Sequence, residues 1–259
     1  MPGRFGKLHL QAWGPQALSV AVGLTVWEIA GRLTPAAILA PPSRVFARMA
    51  AMLASGELPA LLAASSLHML AGFGLAVLVA VPIGFLMGRV PWVSRLLDPL
   101  VTAFYSLPTV ALVPLIVIWF GLFYAARVAL VFCMAVPDMI VVMAAGARDI
   151  DQRLVDAGRS LGAGWMQQFR TVLLPASLPF VFTALRVGAV RAINAMITAE
   201  LFFAAVNLGA SMKKAASAFD SAGLLAVLAT LCLAGLAVQE LLRLLETWAS
   251  PWRQGVGNG

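Results

Sequence analysis

Few side chains in this sequence could bind a polar solute, and several of them lie inside long apolar runs. Asp138 lies in one such run, and Arg186, Arg191 and Glu200 lie in a later one. A charge in an apolar environment is costly, and in membrane proteins it usually faces a bundle interior or a water-filled path. These residues therefore indicate either polar contacts between helices or a route for a polar solute.

The later run places its polar residues on two stripes of a helix. At about 100° per residue, Arg191, Asn194 and Thr198 share one face. We predict that this face lines a translocation path, and an interhelical polar clamp is the alternative interpretation. Asp138 and Glu200 are further candidates for the path, with a purely structural role as the alternative for Asp138.

The second stripe contains Arg186 and Glu200, which are fourteen residues apart. A helix rises about 1.5 Å per residue, so roughly 21 Å separates them along the axis. They cannot pair with each other at that distance. We therefore expect each of them to pair with a residue of another helix.

A third polar set lies in an apolar run that contains three prolines. Pro99, Pro108 and Pro114 predict a bent or broken helix, a feature that transporters use to line a cavity. We predict that the polar residues of this run also line the translocation path. They are Tyr105, Ser106 and Thr109.

The sequence contains no set of residues suited to catalysis or metal binding. Its histidines are His9 and His68, and its cysteines are Cys133 and Cys232. They have no metal-ligand spacing and form no Cys/His or Ser/His/Asp arrangement. We expect His68 to face the surface at the outer mouth of a span, and both cysteines to lie in the lipid phase or in the protein core. We therefore predict neither an enzyme nor a metal site.

The lysine positions exclude one kind of nucleotide site. A P-loop needs Gly-x4-Gly-Lys-Ser/Thr, because backbone amides and the lysine hold the phosphates. The chain has three lysines, Lys7, Lys213 and Lys214, and none is followed by Ser or Thr. Any energy from ATP must therefore come through a partner protein.

The composition requires that membrane helices position these residues. The 259 residues are 61% hydrophobic and 11% charged, with a mean hydropathy of +0.93, whereas soluble proteins are about 25% charged. This excludes an ordinary soluble enzyme, a disordered chain and a fibrous repeat, and an outer-membrane barrel would give a weaker apolar signal. The net charge of +7 forms no compact basic patch, so we predict no nucleic-acid partner. We predict an all-α polytopic membrane protein.

We predict about six transmembrane helices, since a span needs about 20 mostly apolar residues. They lie at residues 10–33, 69–88, 99–126, 128–147, 177–206 and 221–239. With both termini cytoplasmic, ten basic residues lie inside and six outside, as the positive-inside rule favours. The external loop 34–67 contains a predicted amphipathic segment at 43–54, and residues 1–259 form a single transmembrane domain.

The internal loop 149–175, between the fourth and fifth spans, is predicted to form a pair of short helices. The apolar side of the first helix consists of Leu154, Val155 and Leu161. Gly162 and Gly164 form a break after it. The second helix is predicted at 165–172, and Pro175 precedes the next span. From the residues alone, such a pair is either a solvated connector or a docking surface for a cytoplasmic partner.

The same loop resembles the EAA motif of permease subunits of ATP-binding-cassette (ABC) importers. The residues that match the motif are Asp156-Ala157-Gly158, Gly162, Val172 and Leu174-Pro175. Asp156 keeps the negative charge of the motif. Gly158 replaces the alanine of the motif and should destabilise the helix by about 1 kcal/mol. The resemblance implies a coupling helix pair that docks an ATPase through Asp156, Ala157, Gly158, Arg159, Gly162, Trp165, Leu174 and Pro175.

Other stretches resemble the permeases for nitrate, sulfonates, taurine and bicarbonate. They are Trp27-Glu28, residues 40–45, 66–73, 97–100, 107–108, 111–115, 119–121 and 185–188, and Ala199-Glu200. The sequence departs from this pattern at His68, where arginine is common, and at Asp138, in a span that is usually uncharged. The resemblance places the core permease fold at about residues 60–250.

The resemblance implies a homodimeric permease in the bacterial inner membrane, with two ABC ATPase subunits on its cytoplasmic loops. A periplasmic or lipid-anchored solute-binding protein would deliver the solute. ATP and Mg²⁺ would be held by the ATPase, and no cofactor by this chain. The implied solute is a small organic or inorganic anion, with pyrimidine-type vitamin precursors and aromatic carboxylates as alternatives. From the residues alone, an ion-gradient-driven transporter or channel and a membrane scaffold remain open.

Overall fold

The computed structural model of this chain describes residues 5–204 and 206–250, and every regular element in that part is a helix. In chain order the α-helices are α1 (Phe5–Leu33), α2 (Pro42–Ala54), α3 (Glu57–Arg89), α4 (Pro91–Ser106), α5 (Val113–Phe120), α6 (Tyr124–Arg148), α7 (Gln152–Ser160), α8 (Trp165–Gln168), α9 (Leu174–Ala199), α10 (Asn207–Ser217) and α11 (Ser221–Ala249). A 3-10 turn precedes α5, and a π turn lies on either side of α9. The predicted all-α class is confirmed.

Long apolar helices account for most of the predicted spans. Within the described residues, four helical stretches are long and apolar enough to cross a membrane: α3, α6, the stretch Trp165–Phe203 that contains α8 and α9, and α11. A fifth is formed if α4 and the segment Val110–Phe120, which meet at 89°, count as one broken span. Helix α1 covers the first predicted span but is not among these candidates. The described residues at each of the six predicted positions are mainly helical, with breaks at 107–108 and 121–123 in the third. The count of six crossings stays a prediction.

The third predicted span is broken at Pro108. Helix α4 ends at Ser106, and Leu107 is extended, with a ψ of 132°. A proline disfavours the helical conformation in the residue before it and has no amide to donate. The predicted break is confirmed, and the 3-10 turn Thr109–Leu112 leads into α5.

By its internal contacts the chain divides into two compact units, of which the first comprises residues up to Leu61 together with Ala210–Thr230. In this unit, the Glu28 carboxylate of α1 accepts hydrogen bonds from the Ser43 backbone N–H at 3.0 Å and from its hydroxyl at 2.8 Å. These bonds satisfy part of the first turn of α2, whose amides lack partners inside the helix. Helix α2 confirms the helical segment predicted at 43–54.

The second unit comprises Leu62–Gly209 together with the chain from Leu231 onward. Many side chains of α6 are buried in it, including Met139 and Met143. A methyl group added at Gly84 of α3 would lie 2.7 Å from the Met143 Cβ of α6, so only glycine fits there. Small residues at helix contacts let backbones approach closely in membrane proteins, and Gly84 does so between α3 and α6.

Candidate functional site

The first half of the internal loop forms the predicted short helix. Helix α7 begins after Asp151, whose side chain caps it by accepting a hydrogen bond from the Arg153 backbone N–H at 2.8 Å. The turn after α7 contains Gly162, which has a φ of +78°. Glycine adopts this conformation without strain. The two residue types therefore explain both ends of the helix, and the break predicted at Gly162 is confirmed.

The second half of the loop is not a separate helix. Helix α8 continues through a π turn at Phe169–Leu173 into α9, and the whole stretch Trp165–Phe203 is one helix. The prediction that a short helix at 165–172 ends before Pro175 is therefore wrong. Leu174 is exposed, and Pro175 lies in the first turn of α9, directly after the π turn at Phe169–Leu173.

Several large apolar side chains of the loop are exposed. They are Leu154, Leu161, Trp165 and Met166, which we call the loop patch. Trp165 stacks on Phe169 with 5.8 Å between ring centroids, and Phe169 meets Phe85 of α3 edge-on at 5.9 Å. The patch is thus anchored to a span, while the described residues leave its outer surface uncovered. Exposed apolar patches of this kind are typical of protein interaction sites.

The residues that match the start of the EAA motif lie on α7. Asp156 and Arg159 are exposed, and a carboxylate oxygen of the first lies 3.8 Å from a guanidinium nitrogen of the second. Ala157 is exposed as well. A methyl group added at Gly158 would lie 3.6 Å from the Gln168 Cγ, an ordinary van der Waals distance. The fold therefore has room for an alanine at position 158.

A contact that sequence reasoning missed anchors α7 to two spans. Arg89, the last residue of α3, donates a hydrogen bond to the Gln152 side-chain oxygen at 3.1 Å. It also donates to the carbonyl oxygens of Ala147 and Ile150, at 3.5 Å each. Gln152 in turn donates to the Asp156 carboxylate at 3.3 Å. Arg89 lies 58 to 63 residues before its partners, so no local spacing could have indicated this link.

Helix α9 exposes a polar side. Arg191 and Asn194 are exposed, and Thr198 is half-buried, with its hydroxyl donating to the Asn194 carbonyl oxygen at 2.9 Å. The other side of the helix is buried and contains Ala184, Ala192, Ala195 and Ala199. The three residues predicted to line a path therefore share a face that other described residues leave largely uncovered.

Arg191 also takes part in a contact between helices. Its Nη2 lies 2.9 Å from the Oδ1 of Asp138 on α6. The clamp and the path were alternatives for Arg191, and the geometry is compatible with both, because the guanidinium pairs with Asp138 while the side chain stays exposed. Asp138 follows Pro137 within α6, which runs as one helix from Tyr124 to Arg148.

Arg186 is joined to α11. Its Nη1 lies 2.8 Å from the Oε2 of Glu246, and its backbone carbonyl accepts a hydrogen bond from Gln239 Nε2 at 3.0 Å. The expectation that Arg186 pairs with another helix is confirmed. Sequence spacing did not identify Glu246 as the partner, because 60 residues separate the two.

Glu200 belongs to a buried polar cluster, away from the exposed side of α9. Its carboxylate is fully buried and accepts a hydrogen bond from Ser65 Oγ of α3 at 2.6 Å. Asn207 Nδ2 and the Gly209 backbone N–H donate to it at 3.1 Å and 3.0 Å. Glu200 thus pairs with another helix, as expected, but it does not share the surface that contains Arg191.

His68 lies in the same cluster, and the prediction that it faces the surface is wrong. Its side chain is buried, its Nε2 lies 3.7 Å from the Glu200 Oε1, and its ring meets Tyr124 edge-on at 6.4 Å. The physical reason is the length of α3, which begins at Glu57. His68 therefore lies well inside a helix, and not at the start of a span beginning at residue 69.

The polar residues of the broken span lie around its break. Tyr105 and Ser106 are exposed at the end of α4, and the Ser106 hydroxyl donates to the Thr102 carbonyl oxygen at 2.8 Å. Thr109 begins the 3-10 turn, and its side chain lies outside the described residues.

Metal-ligating residues are scattered in the part of the chain that the structure describes. No group of three or more His, Cys, Asp or Glu there could hold a metal ion. Cys133 is half-buried on α6 and Cys232 is exposed on α11, and both helices are apolar enough to cross a membrane, so their predicted positions in the lipid phase or the protein core stay a prediction.

The chain is similar to known transport permeases along most of its length. The family described as "binding-protein-dependent transport system inner membrane component" matches residues 80–250. A probable ABC transporter permease protein of Brucella abortus strain 2308 is 31% identical over 95% of this chain and 98% of its own length. The taurine transport system permease protein TauC of Escherichia coli K12 is 30% identical over 90% of this chain and 88% of its own. The riboflavin transport system permease protein RibX of Chloroflexus aurantiacus is 30% identical over 96% of this chain and 94% of its own.

Proposed function

The chain belongs to the family of binding-protein-dependent transport system inner membrane components, and we propose that two copies of it enclose the translocation path of an importer for a small anion. Family membership makes it the permease subunit of an ABC importer and not an enzyme. The homodimer, the kind of solute and the orientation are the proposed parts. We place both termini on the cytoplasmic side of a bacterial inner membrane.

The exposed polar side of α9 carries the proposal. Arg191, Asn194 and Thr198 lie within Trp165–Phe203, a stretch apolar enough to cross a membrane. Charged and amide groups are costly in contact with lipid tails, so this side faces water or another protein surface. A second copy of the chain placed against it would enclose a path lined by the polar residues of both copies.

The loop patch supports docking of an ATPase. Its exposed apolar side chains lie beside the charged Asp156 and Arg159 of α7, and a mixed surface of this kind suits a protein interface. In the proposal, one ABC ATPase subunit binds each copy here and holds ATP and Mg²⁺. The hydrogen bonds of Arg89 and Gln152 then pass a displacement of α7 to the spans.

The kind of solute is inferred from the charge of the proposed path. Exposed arginines attract anions, and the planar guanidinium matches oxyanions in particular. The similar permeases are named for solutes as different as taurine and riboflavin, so similarity alone does not select one. We propose a small organic or inorganic anion, handed over by a solute-binding protein, and a vitamin precursor or an aromatic carboxylate is the alternative.

Cysteine accessibility tests the proposed path. In a background in which Cys133 and Cys232 are replaced by alanine, Asn194→Cys should react with a membrane-impermeant methanethiosulfonate reagent. Leu78→Cys, at an exposed apolar position of α3, is the matched control and should not react. Equal reactivity at both positions, or none at Asn194→Cys, would contradict a water-filled path along α9. Solute uptake that persists without any ATPase would favour a gradient-driven transporter.

A further inference from the structure

We propose that a groove beside α9 binds a small oxyanion, such as a sulfonate or a carboxylate, between Arg186 and Arg191. The proposal rests on the proposed function, since the groove lies on the side of α9 that we assign to the path. The groove has a volume of about 400 Å³, and its lining residues are Thr183, Arg186, Val187, Val190, Arg191 and Gln239. Ligand pockets usually measure about 300–1,000 Å³, so a small solute has room here.

The two arginines lie at opposite edges of one helix face. A separation of five residues corresponds to a rotation of about 140° around the helix, and Val187 and Val190 fall between Arg186 and Arg191. The sequence assigned these arginines to separate stripes, but their long side chains line the same groove. The groove therefore has an apolar floor between two cationic edges, which matches a solute with a charged head and an apolar body.

In each ion pair the arginine is the more exposed partner. The Arg191 side chain is 46% exposed and that of Asp138 is 13% exposed, and the corresponding values for Arg186 and Glu246 are 30% and 14%. The carboxylates thus brace the guanidinium groups from the more buried side. Because a guanidinium has five N–H donors in a planar fork, each arginine can hold its carboxylate and still donate to an oxyanion.

The depth of the groove agrees with a position on a transport path. Arg186 is 12 residues from Leu174 and 13 residues from Ala199, which places it about 18–20 Å from either end of α9. Arg191 lies in the same membrane-length stretch, Trp165–Phe203, and partly exposed arginines within a span are very costly if they face lipid. They are stabilised if the groove is hydrated and an anion can lie between them.

The resident carboxylates should keep such a site weak. An incoming anion competes with Asp138 for Arg191, so the net gain from charge-assisted hydrogen bonds is smaller than at an unpaired arginine. Weak binding suits a path, because a permeating species must leave the site as readily as it enters.

Chemical protection of the arginines tests the site without measuring transport. The chain is purified in phosphatidylcholine nanodiscs together with its ATPase and treated with phenylglyoxal, which modifies guanidinium groups, and adducts are quantified by mass spectrometry. We expect methanesulfonate to protect Arg186 and Arg191, and dimethyl sulfone, a neutral analogue of similar shape, to give no protection. Arg243 of α11, exposed and 3.5 Å from Glu240, is the internal control and should react equally under both conditions.

One substitution sharpens the test. Asp138→Asn removes the competing carboxylate while keeping the shape of the side chain. The methanesulfonate concentration that half-protects Arg191 should then fall by about tenfold, the equivalent of one charge-assisted hydrogen bond. An unchanged half-protecting concentration in a folded variant would contradict competition between Asp138 and the anion.

Several results would overturn the site. They are equal protection by methanesulfonate and dimethyl sulfone, parallel protection of Arg243, and failure of phenylglyoxal to reach either arginine. Protection by phosphatidylglycerol in the nanodisc, with no further effect of methanesulfonate, would assign the groove to a lipid headgroup and would also overturn it. A chain that co-purifies with its ATPase but shows no protection keeps the proposed function without the groove, whereas a chain without an ATPase contradicts the proposed function itself.

Discussion

The continuous helix Trp165–Phe203 reverses the usual distribution of side chains at both of its ends. At one end the apolar Trp165 and Met166 are exposed, and at the other the charged Glu200 is completely buried. A π turn lies close to each of these features. The buried carboxylate receives hydrogen bonds from three donors within the chain, whereas the described residues leave the exposed apolar side chains largely uncovered.

The two ends therefore differ in what they need. The contacts of Glu200 are complete within the chain, whereas the exposed side chains near Trp165 lack a partner. A buried charged group is tolerated when hydrogen bonds satisfy it, so the end with Glu200 needs nothing from outside. Exposed apolar surface on a loop instead indicates an interface. Substitutions at the end with Glu200 should therefore reduce folding, and substitutions at the end with Trp165 should reduce assembly with the ATPase.

The largest effect is expected for Glu200→Ala. The substitution leaves the donors of Ser65, Asn207 and Gly209 without their acceptor and should lower the free energy of unfolding by about 3–5 kcal/mol. Thermal unfolding in detergent measures the loss. Asp98→Ala is the control, because the exposed pair of Asp98 with Arg148 at 3.5 Å should contribute only about 0–1 kcal/mol. Equal melting of the two variants would contradict the contrast between the two ends.

A smaller effect, on assembly alone, is expected for Trp165→Ala. Aromatic side chains at the centre of an interface often contribute about 2 kcal/mol, so the affinity for the ATPase should fall by roughly 30-fold. The melting temperature should change far less than in Glu200→Ala. Trp248→Ala, which removes an exposed tryptophan of α11, should leave ATPase binding unchanged. If Trp165→Ala binds the ATPase normally, the loop patch is not the docking surface.

Gly162 tests whether the loop must hold α7 in one orientation. An alanine at the φ of +78° should cost about 1–2 kcal/mol, and a proline cannot adopt that angle at all. We expect Gly162→Ala to raise the number of ATP molecules hydrolysed per imported solute and Gly162→Pro to abolish coupling, with insertion into the membrane intact. Normal coupling in the proline variant would show that the geometry of this turn is unimportant.

The smallest effect is expected for Gly158→Ala, the matched substitution within α7. The added methyl group meets Gln168 at an ordinary 3.6 Å, and alanine is the better helix former, so stability should rise by up to about 1 kcal/mol. Uptake should be unchanged. Reduced uptake in a more stable protein would reveal that docking needs a bare backbone at position 158.

Local physics explains what could be predicted from the sequence. Pro108 has no amide donor and restricts the residue before it, and Gly162 supplies a positive φ, so each break follows from one residue type. The spans could also be located from the sequence, because a run of about 20 apolar residues is a local property of the chain. The shared face of Arg191 and Asn194 followed from helical periodicity alone.

The features that could not be predicted depend on distant residues. Arg186 pairs with Glu246, which is 60 residues away in the sequence. His68 is buried because α3 begins as early as Glu57 and because Glu200 packs against the histidine. Pro175 was ambiguous in another way, because a proline is as acceptable in the first turn of a helix as it is between two helices. The π turn that joins α8 to α9 settles that choice.

Affinity purification of the chain in mild detergent, with quantification of the proteins that accompany it, tests the central claim most directly. The account predicts an ABC ATPase at one subunit per permease chain, lost in Trp165→Ala and retained in Trp248→Ala. A stable homo-oligomer without any ATPase, obtained again after gentle cross-linking, would contradict it. Asp138 and Glu200 would then be the residues to test for gradient-driven transport.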